Sequence, residues 1–368
     1  MRNSIVEMIF KDFFNKKTIL ITGHTGFIGS WLTLWLKLLN SKIIGLSLDY
    51  PTQPSLFQTL QLEKSIHHYF GNINDIQTIK KLLKKYNPDI VIHLAAQPLV
   101  KESYLSPVDT FQTNIMGTAN LLESLRNSSV KSCIIMTSDK CYKNLESTRA
   151  YVEDDPLGGN DPYSASKGAA EIITHSYKKS FFETEQHTRI STVRAGNVIG
   201  GGDWASDRII PDCVRHFSQN LPVFLRHPDS VRPFQYVLEP ISGILRLTVK
   251  MWSDYSFADS WNFGPSHIRK PTKVKNVVDM VIKNWGSGEW KTSKTELSFK
   301  ESKFLLLNSQ KASKKLYWKS VFDLKTTISE TVNWYKTFYN NPKEIIPYSE
   351  NCILSYVKKA KEIKLMDM

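Results

Sequence analysis

The 368-residue sequence has few cysteines and lacks long hydrophobic runs. Its four cysteines show no C-x-x-C spacing and no neighbouring pair of histidines, so we expect reduced thiols and no metal site. The apolar pair Ile9-Phe10 is followed at once by Lys11 and Asp12, and the later apolar run at residues 31–39 is short. Neither stretch can form a signal-peptide core or cross a bilayer. We therefore expect a cytoplasmic protein that does not contact a membrane.

Acidic residues are fewer than basic ones, at 35 against 48, which gives a formal net charge of +13. Such an excess indicates either nucleic-acid binding or an electrostatic field that attracts an anionic substrate. The sequence has no long basic run and no basic run interleaved with aromatic residues, apart from a modest basic tail at residues 358–364. We expect a mostly solvated basic surface and no nucleic-acid partner.

Short β-branched runs alternate with longer amphipathic stretches in the first half of the chain. This alternation predicts an α/β fold, a doubly wound parallel sheet of the Rossmann type. Beyond about Gly200 the alternation weakens, which predicts a smaller, mainly helical lobe. The predicted strands are residues 18–21, 42–46, 89–94, 132–137 and 190–193, and the predicted helices between them are residues 28–39, 76–86, 108–126 and 165–182.

Three glycines, Gly23, Gly26 and Gly29, directly follow the first predicted strand and open the first helix. Glycine there permits a tight turn and a close approach of backbone to a pyrophosphate, and the helix N-terminus donates N–H groups. No arginine stands at the end of the second strand to bind a 2′-phosphate, so NAD is predicted rather than NADP. Ser47 follows this strand directly, and the acidic residue Asp49 comes two residues later. The other predicted cofactor contacts are Phe27, Ile28, Ser47, Asn72, Ile73, Leu94, Ala95 and Ala96.

Tyr163 and Lys167 are four residues apart, so they lie on the same face of a helix. A lysine ammonium beside a phenol stabilises phenolate, so Tyr163 can accept a proton from a substrate hydroxyl as hydride leaves. Ser138, Asp139 and Lys140 follow the predicted strand 132–137, at the edge where a doubly wound sheet binds ligands. We expect Ser138 to hydrogen-bond the same hydroxyl, and we predict an active site at this edge.

Several ordered motifs make the sequence similar to the CDP-glucose 4,6-dehydratases, sugar-nucleotide enzymes of the extended short-chain dehydrogenase/reductase family. The glycine spacing G-x-x-G-x-x-G is the form that this family uses. The resemblance runs from about residue 14 to residue 339. It is carried by residues 23–32, 54–57, 95–98, 137–142, 155–159, 194–204 (RAGNVIGGGDW), 232–240 and 261–265.

The resemblance implies a redox cycle that ends without net oxidation. Hydride leaves sugar C4 with Tyr163 as base, water is lost across C5 and C6, and hydride returns to C6, which gives a 4-keto-6-deoxy sugar for surface polysaccharides such as lipopolysaccharide O-antigen. By analogy with related enzymes Asp139 is the acid, and Lys140 occupies the base position or stabilises an enolate. Asn197, Arg208 and Arg232 match positions that contact the nucleotide-sugar diphosphate. The choice of cytosine rests on the resemblance alone.

The sequence pattern and the resemblance together predict a division of the chain. Residues 14–200 form an NAD-binding domain with the catalytic residues, residues 201–340 form a mainly nucleotide-sugar-binding lobe, and residues 341–368 form a polar tail that we expect to be loosely held. A strand near residues 261–264 is a candidate to return to the main sheet. Family members pair the helices at 108–126 and 165–182 across a two-fold axis, so we expect a homodimer or a dimer of dimers.

Three alternatives remain open. The first is a sugar-nucleotide 4-epimerase or oxidoreductase, which would share the fold, NAD, Tyr163 and Lys167 but lacks the elimination chemistry that an acid such as Asp139 at C6 would serve. Another nucleotide-sugar dehydratase is the second, because the chain departs from the family pattern at residues 149–153, 234 and 236. A non-catalytic dinucleotide sensor is the third, although such a protein gains nothing from Tyr163 and Lys167.

Overall fold

The computed structural model describes residues 10, 12–146, 149–184, 188–265, 272–293 and 304–363. A seven-stranded parallel sheet forms its centre, in the order β10-β6-β5-β4-β1-β2-β3. Two two-stranded pairs, β7 with β9 and β8 with β11, lie outside it. The strands are β1 (Thr18–Thr22), β2 (Lys42–Ser47), β3 (His67–Phe70), β4 (Ile90–His93), β5 (Ser132–Met136), β6 (Arg189–Ala195), β7 (Val198–Ile199), β8 (Val223–Leu225), β9 (Gln235–Tyr236), β10 (Ser260–Phe263) and β11 (Trp290–Thr292).

Burial on both faces explains why the central strands read as apolar runs. Ile19, Leu20 and Ile21 of β1 are all at most 1% exposed, and they divide between two hydrophobic clusters on opposite faces of the sheet. The predicted fold class is confirmed, and each of the five predicted strands is present. The strand near residues 261–264 does return to the sheet, as β10 beside β6. The edge strand β3 was not predicted, because its four residues are mostly polar and only partly buried.

Helices cover both faces of the sheet and form much of the second half of the chain. The helix predicted at residues 108–126 contains a π-helical turn, Gln112–Met116, between two α-helices. The α-helices are α1 (Phe27–Leu38), α2 (Leu56–Thr59), α3 (Ile76–Tyr86), α4 (Val100–Leu105), α5 (Pro107–Phe111), α6 (Gly117–Leu125), α7 (Pro162–Phe181), α8 (Ile209–Phe217), α9 (Leu238–Ser253), α10 (Val274–Trp285), α11 (Gln310–Lys315), α12 (Leu324–Asn340) and α13 (Ile345–Glu362).

The prediction of a loosely held tail from residue 341 is wrong for α13. Its buried residues include Cys352, Ile353, Tyr356 and Val357, and it packs against α1. The spacing of these residues gives the helix one apolar face, which its many exposed polar residues obscure in the sequence. Residues 364–368 lie outside the described part of the chain.

A buried carboxylate joins this last helix to the rest of the second half. Glu239 of α9 accepts a hydrogen bond from the Tyr356 hydroxyl at 2.6 Å and others from the backbone N–H groups of Val321 and Phe322. Burial raises the pKa of Glu239 to about 7, and these three donors oppose that shift. The contacts hold α9, α13 and the 321–322 loop together. The division of the chain at residue 200 stays a prediction.

The structure also bears on the cysteines and on membrane-spanning helices. The four cysteines are all free and buried. Among the described helices, none is both long enough and apolar enough to span a membrane.

Candidate active site

A cavity of about 370 Å³ opens where the central strands end. Its wall combines residues from both halves of the chain, and it brings together the five predicted catalytic residues. The predicted residues in its wall are Ile28, Leu94, Ala96, Ser138, Asp139, Lys140, Tyr163, Lys167, Asn197, Arg208 and Arg232. The remaining predicted cofactor residues lie outside this wall, in the glycine turn and at the ends of β2, β3 and β4: Gly23, Gly26, Phe27, Gly29, Ser47, Asn72, Ile73 and Ala95.

The glycine turn lies between β1 and α1 and leaves no room for side chains at two positions. Gly23 has a φ of +77°, and a Cβ there would lie 2.6 Å from the Ala95 nitrogen. A Cβ at Gly29 would lie 2.2 Å from the Gly23 oxygen, so this glycine lets α1 pack on the turn. The N-cap residue Gly26 provides no capping side chain, and the first turn of α1 has no acidic residue. The backbone N–H groups at the start of α1 are therefore available to bind an anion such as the pyrophosphate of a dinucleotide.

Ser47, at the end of β2, contacts the glycine turn directly. Its hydroxyl accepts a hydrogen bond from the Thr25 N–H at 3.2 Å and lies 2.9 Å from His24 Nδ1. His24 Nε2 lies in turn 2.7 Å from His68 Nδ1 on β3. Burial and, to a smaller extent, the neighbouring His68 lower the pKa of His24 to about 3. A neutral histidine pair thus supports Ser47 at the end of β2.

The other predicted cofactor residues follow β3 and β4. Asn72 accepts a hydrogen bond from the Asn74 N–H at 2.9 Å, and Ile73 is buried. The N–H of Ala95 donates to Thr22 Oγ1 at 3.4 Å, so β1 and the end of β4 are joined where the turn begins. Phe27 lies beside Gly200, where a Cβ would approach its ring to 3.2 Å.

Tyr163 begins the first turn of α7, which Asp161 caps by accepting a hydrogen bond from the Ser164 N–H at 2.9 Å. The Nζ atoms of Lys140 and Lys167 each lie 6.0 Å from the centroid of the Tyr163 ring. Burial raises the pKa of Tyr163 to about 12, and a hydrogen bond with Ser138 opposes that shift. The cations around this phenol favour the phenolate that a base requires.

Burial affects Lys167 in the opposite direction. It lowers the pKa of Lys167 to about 8, while the neighbouring Cys141 and Glu171 oppose that shift. Lys167 is therefore a cation whose charge depends on its acidic neighbour.

Asp139 is a buried carboxyl group at the cavity wall. Its Oδ1 accepts a hydrogen bond from the Ser138 hydroxyl at 3.0 Å, and its Oδ2 has no hydrogen-bond partner among the described residues. Burial raises the pKa of Asp139 to about 6, against the opposing charges of Lys140 and Arg232. A carboxyl group with a raised pKa and an unpartnered oxygen can donate a proton to a ligand.

The three predicted substrate residues all lie in the cavity wall. Arg208 pairs with Asp203 at 3.0 Å, and Asp203 is the largest cause of the raised pKa of Arg208. Arg232 donates to the Val231 carbonyl at 2.9 Å, and its charge acts on Asp139. Asn197 follows β6. Guanidinium groups in this arrangement suit a diphosphate.

Sequence reasoning missed several charged residues of the site. Asp207 forms ion pairs with Lys101 at 3.2 Å and Arg226 at 3.3 Å, and all three line the cavity. Behind the cavity wall, Glu171 and Arg194 form a buried ion pair. The spacing of four between Lys167 and Glu171 was the available signal for Glu171. Within the described residues no group of three His, Cys, Asp or Glu side chains could hold a metal ion.

The glycine turn can be tested with a matched pair of substitutions. Gly23→Ala and Gly286→Ala both place a side chain on a left-handed residue, at a cost of roughly 1–2 kcal/mol. Only the Cβ at position 23 would meet other backbone, because that at Gly286 has nothing within 4 Å. We expect Gly23→Ala to weaken NAD binding by about tenfold or more and Gly286→Ala to leave it unchanged, as measured by titration calorimetry. Equal affinities in the two variants would contradict this account of the turn.

Comparison with known proteins agrees with the geometry. The model of the GDP-mannose 4,6 dehydratase family matches residues 20–331. CDP-glucose 4,6-dehydratase from Salmonella typhimurium is 41% identical over 345 residues, which cover 92% of this chain and 96% of that protein.

Two solved structures share the fold. The structure of dTDP-glucose 4,6-dehydratase from Bacillus anthracis in complex with NAD matches with a TM-score of 0.73 and 21% identity, over 90% of this chain and 99% of that one. UDP-glucuronic acid 4-epimerase from Bacillus cereus, in complex with UDP-glucuronic acid and NAD, gives a TM-score of 0.75 and 23% identity, over 88% and 100% of the two chains. The family match and the 41% identity go further than the fold. The chain belongs to the GDP-mannose 4,6 dehydratase family, as a homologue of a CDP-glucose 4,6-dehydratase.

Proposed function

We propose that this protein catalyses the NAD-dependent dehydration of CDP-glucose to CDP-4-keto-6-deoxyglucose. The observation that carries the proposal is the buried carboxyl group of Asp139. One of its oxygens has no hydrogen-bond partner in the part of the chain that the structure describes, and the group shares the cavity wall with Tyr163 and Lys167. Oxidation at C4 needs only a base and a hydride acceptor. Loss of water also needs an acid for the departing C6 hydroxyl, and Asp139 provides it.

NAD, when bound at the glycine turn, would supply the hydride acceptor and return the hydride at the end of the cycle. Tyr163 takes the proton of the C4 hydroxyl, and Ser138 orients that hydroxyl through a hydrogen bond. Lys167 stabilises the phenolate by its charge. These groups are supported by their common location in the cavity wall.

Elimination then uses the segment after β5. Asp139 donates a proton to the C6 hydroxyl, which leaves as water. Lys140 either removes the C5 proton or stabilises the enolate that forms when another group removes it. Exchange of the C5 hydrogen with solvent in a Lys140→Met variant separates the two roles: loss of the base should abolish exchange, whereas loss of a stabilising charge should slow it and leave the other group to remove the proton.

The nucleotide choice comes from the 41% identical relative, a CDP-glucose 4,6-dehydratase. Asn197, Arg208 and Arg232 are proposed to bind the diphosphate. The net charge of +13 favours the approach of such an anion. We also propose a cytoplasmic enzyme that supplies deoxysugar for surface polysaccharide such as lipopolysaccharide O-antigen; loss of that sugar on gene deletion would be the expected result.

A panel of nucleotide sugars tests the function. Purified protein, with and without added NAD, is incubated separately with CDP-glucose, dTDP-glucose, GDP-mannose and UDP-glucose, and products are identified by mass and sugar configuration. We expect loss of one water from CDP-glucose with no net NADH. Unchanged mass with inversion at C4 would instead establish a 4-epimerase, and loss of water from a different sugar would establish another dehydratase.

Asp139 can be tested by Asp139→Asn at several pH values. The variant should still oxidise C4, but the oxidised sugar should lose water at least about 100-fold more slowly, because an amide cannot donate the proton. Reduced cofactor and a 4-keto sugar that keeps its C6 hydroxyl should therefore accumulate. In the unsubstituted enzyme the carboxyl ionises as pH rises through about 6, so the rate of water loss should fall above that pH.

Glu239→Gln is the control for this experiment, since Glu239 is also a buried carboxyl group but lies outside the cavity wall. Its ratio of water loss to oxidation should match that of the unsubstituted enzyme. Normal water loss by Asp139→Asn would exclude Asp139 as the acid.

We further propose that the chain forms a homodimer through α4 to α7, alone or within a dimer of dimers. These helices pack on one another and carry large exposed apolar side chains, including Leu105, Val108, Met116 and Ile172, each at least half exposed. An apolar patch of this kind indicates a protein interface.

Substitution of this patch tests the dimer. Val108→Lys with Ile172→Lys should yield single chains in light scattering at micromolar concentration, because two buried lysines per chain disrupt an apolar interface. Leu221→Lys, at an exposed leucine outside these helices, should leave the mass of the unsubstituted protein. A single-chain mass for the unsubstituted protein would refute the dimer.

A further inference from the structure

Glu171 on α7 and Arg194 on β6 form an ion pair behind the cavity wall. The Arg194 Nε donates to Glu171 Oε1 at 2.9 Å, and Nη2 donates to Oε2 at 2.8 Å. The Arg194 side chain is only 3% exposed and the Glu171 side chain only 2%. Paired charged contacts of this kind fix both the distance and the relative orientation of the groups. The pair therefore holds α7 and β6 in one arrangement.

The ion pair also holds the residue before the Ser138–Cys141 segment. Thr137 donates its hydroxyl to Glu171 Oε1 at 2.5 Å and its backbone N–H to the Val193 carbonyl at 2.9 Å. Thr192 donates to the other oxygen of Glu171 at 2.7 Å. Thr137 cannot move away from α7 without breaking a buried hydrogen bond, which is costly in such an environment.

The same ion pair holds the residue after the segment. Arg194 Nη1 donates to the Tyr142 hydroxyl at 2.8 Å and to the Glu153 carbonyl at 2.8 Å. Tyr142 donates in turn to Asn262 Oδ1 on β10 at 2.7 Å. Both ends of the Ser138–Cys141 segment are thus attached to one buried pair of charges.

Glu171 connects this anchor to the other catalytic groups. It lies four residues after Lys167 and eight after Tyr163 on the same 20-residue helix, so the three side chains share a face. The pair therefore helps to set the distance between the helix and the segment, and so between Tyr163 and Asp139, together with the direct packing of Gly168 on the Cys141 carbonyl. Glu171 also opposes the loss of charge that burial imposes on Lys167.

We propose that Glu171 and Arg194 are positioning residues for the loss of water, because they hold Asp139 and Lys140 at the correct place beside Tyr163. This inference rests on the proposed function. Tyr163 and Lys167 keep their mutual geometry within a long helix. Asp139 and Lys140 lie in a three-residue turn, Asp139–Cys141, whose position depends on where its ends are held. Elimination should therefore depend on the anchor more than oxidation does.

Two substitutions release one end of the segment each and keep the ion pair. Thr137→Val removes the hydroxyl that bonds Glu171, and Tyr142→Phe removes the one that bonds Arg194. We expect each to slow water loss about tenfold or more and C4 oxidation by less than about threefold, since a shift of about 1 Å in reacting groups can cost about 100-fold. The double variant should show a larger difference. Rapid quench with mass detection of the 4-keto sugar and of its dehydrated product measures both steps.

Matched controls remove buried hydroxyls elsewhere. Thr331→Val removes a hydroxyl that donates to the Thr327 carbonyl at 2.7 Å, and Tyr356→Phe removes one that donates to the buried carboxylate of Glu239. Both should leave the ratio of the two rates unchanged, even where they lower stability. Equal slowing of oxidation and water loss in Thr137→Val and Tyr142→Phe, or a changed ratio in the controls, would overturn the proposal.

Amide hydrogen exchange provides a readout that needs no substrate. The peptide that spans residues 137–142 should exchange faster in Thr137→Val and Tyr142→Phe than in the unsubstituted protein, and at an unchanged rate in the two controls. Unchanged exchange in all variants would overturn the anchor. If the unsubstituted enzyme does not dehydrate CDP-glucose, the proposed function fails, and the exchange experiment still decides whether the segment is anchored.

Discussion

The parallel direction of the central strands brings the residues at their carboxyl ends to one edge of the sheet, where the candidate site lies. Hydrogen bonds between β1, β2, β4, β5 and β6 all run in the parallel pattern, so the carboxyl ends of these strands meet at one edge. Segments that are far apart in the chain therefore share one cavity. Along that edge lie the glycine turn after β1, Ser47 at the end of β2, Ala95 and Ala96 after β4, Ser138 to Lys140 after β5, and Asn197 after β6.

Burial gives the three central ionisable groups a common bias toward their neutral forms. It raises the pKa values of Asp139 and Tyr163 and lowers that of Lys167. For Asp139 this bias agrees with a role as acid, because the group keeps its proton at higher pH. For Tyr163 it opposes a role as base. The cations around the phenol, among them Lys140, Lys167 and Arg208, therefore matter more here than they would on an exposed tyrosine.

Local patterns in the sequence predicted the parts of this structure that depend on local chemistry. The apolar runs identified the central strands, the spacing of Tyr163 and Lys167 identified one part of the cavity wall, and the spacing of the glycines identified the turn between β1 and α1. The edge strand β3 was not predicted, because a partly exposed edge strand does not need an apolar run. Glu171 and Asp207 were not predicted, because a charged residue is assigned to the surface until its partner is known. Their ion-pair partners are distant in the sequence: Arg194 for Glu171, and Lys101 and Arg226 for Asp207. The packing of helix α13 was not predicted, because its apolar face is narrow and its other faces are polar.

The packing of α13 against α1 joins the two ends of the polypeptide. Helix α1 starts at the glycine turn near the N-terminus, and its Trp35 contacts Tyr356 of α13 with ring centroids 5.8 Å apart. Trp35 is fully buried, and the Tyr356 ring is one of the groups that cover it. During synthesis α1 is made long before α13. The strands β1 to β6 can therefore pair before α13 exists, whereas the contact between Trp35 and Tyr356 forms only after α13 has been made.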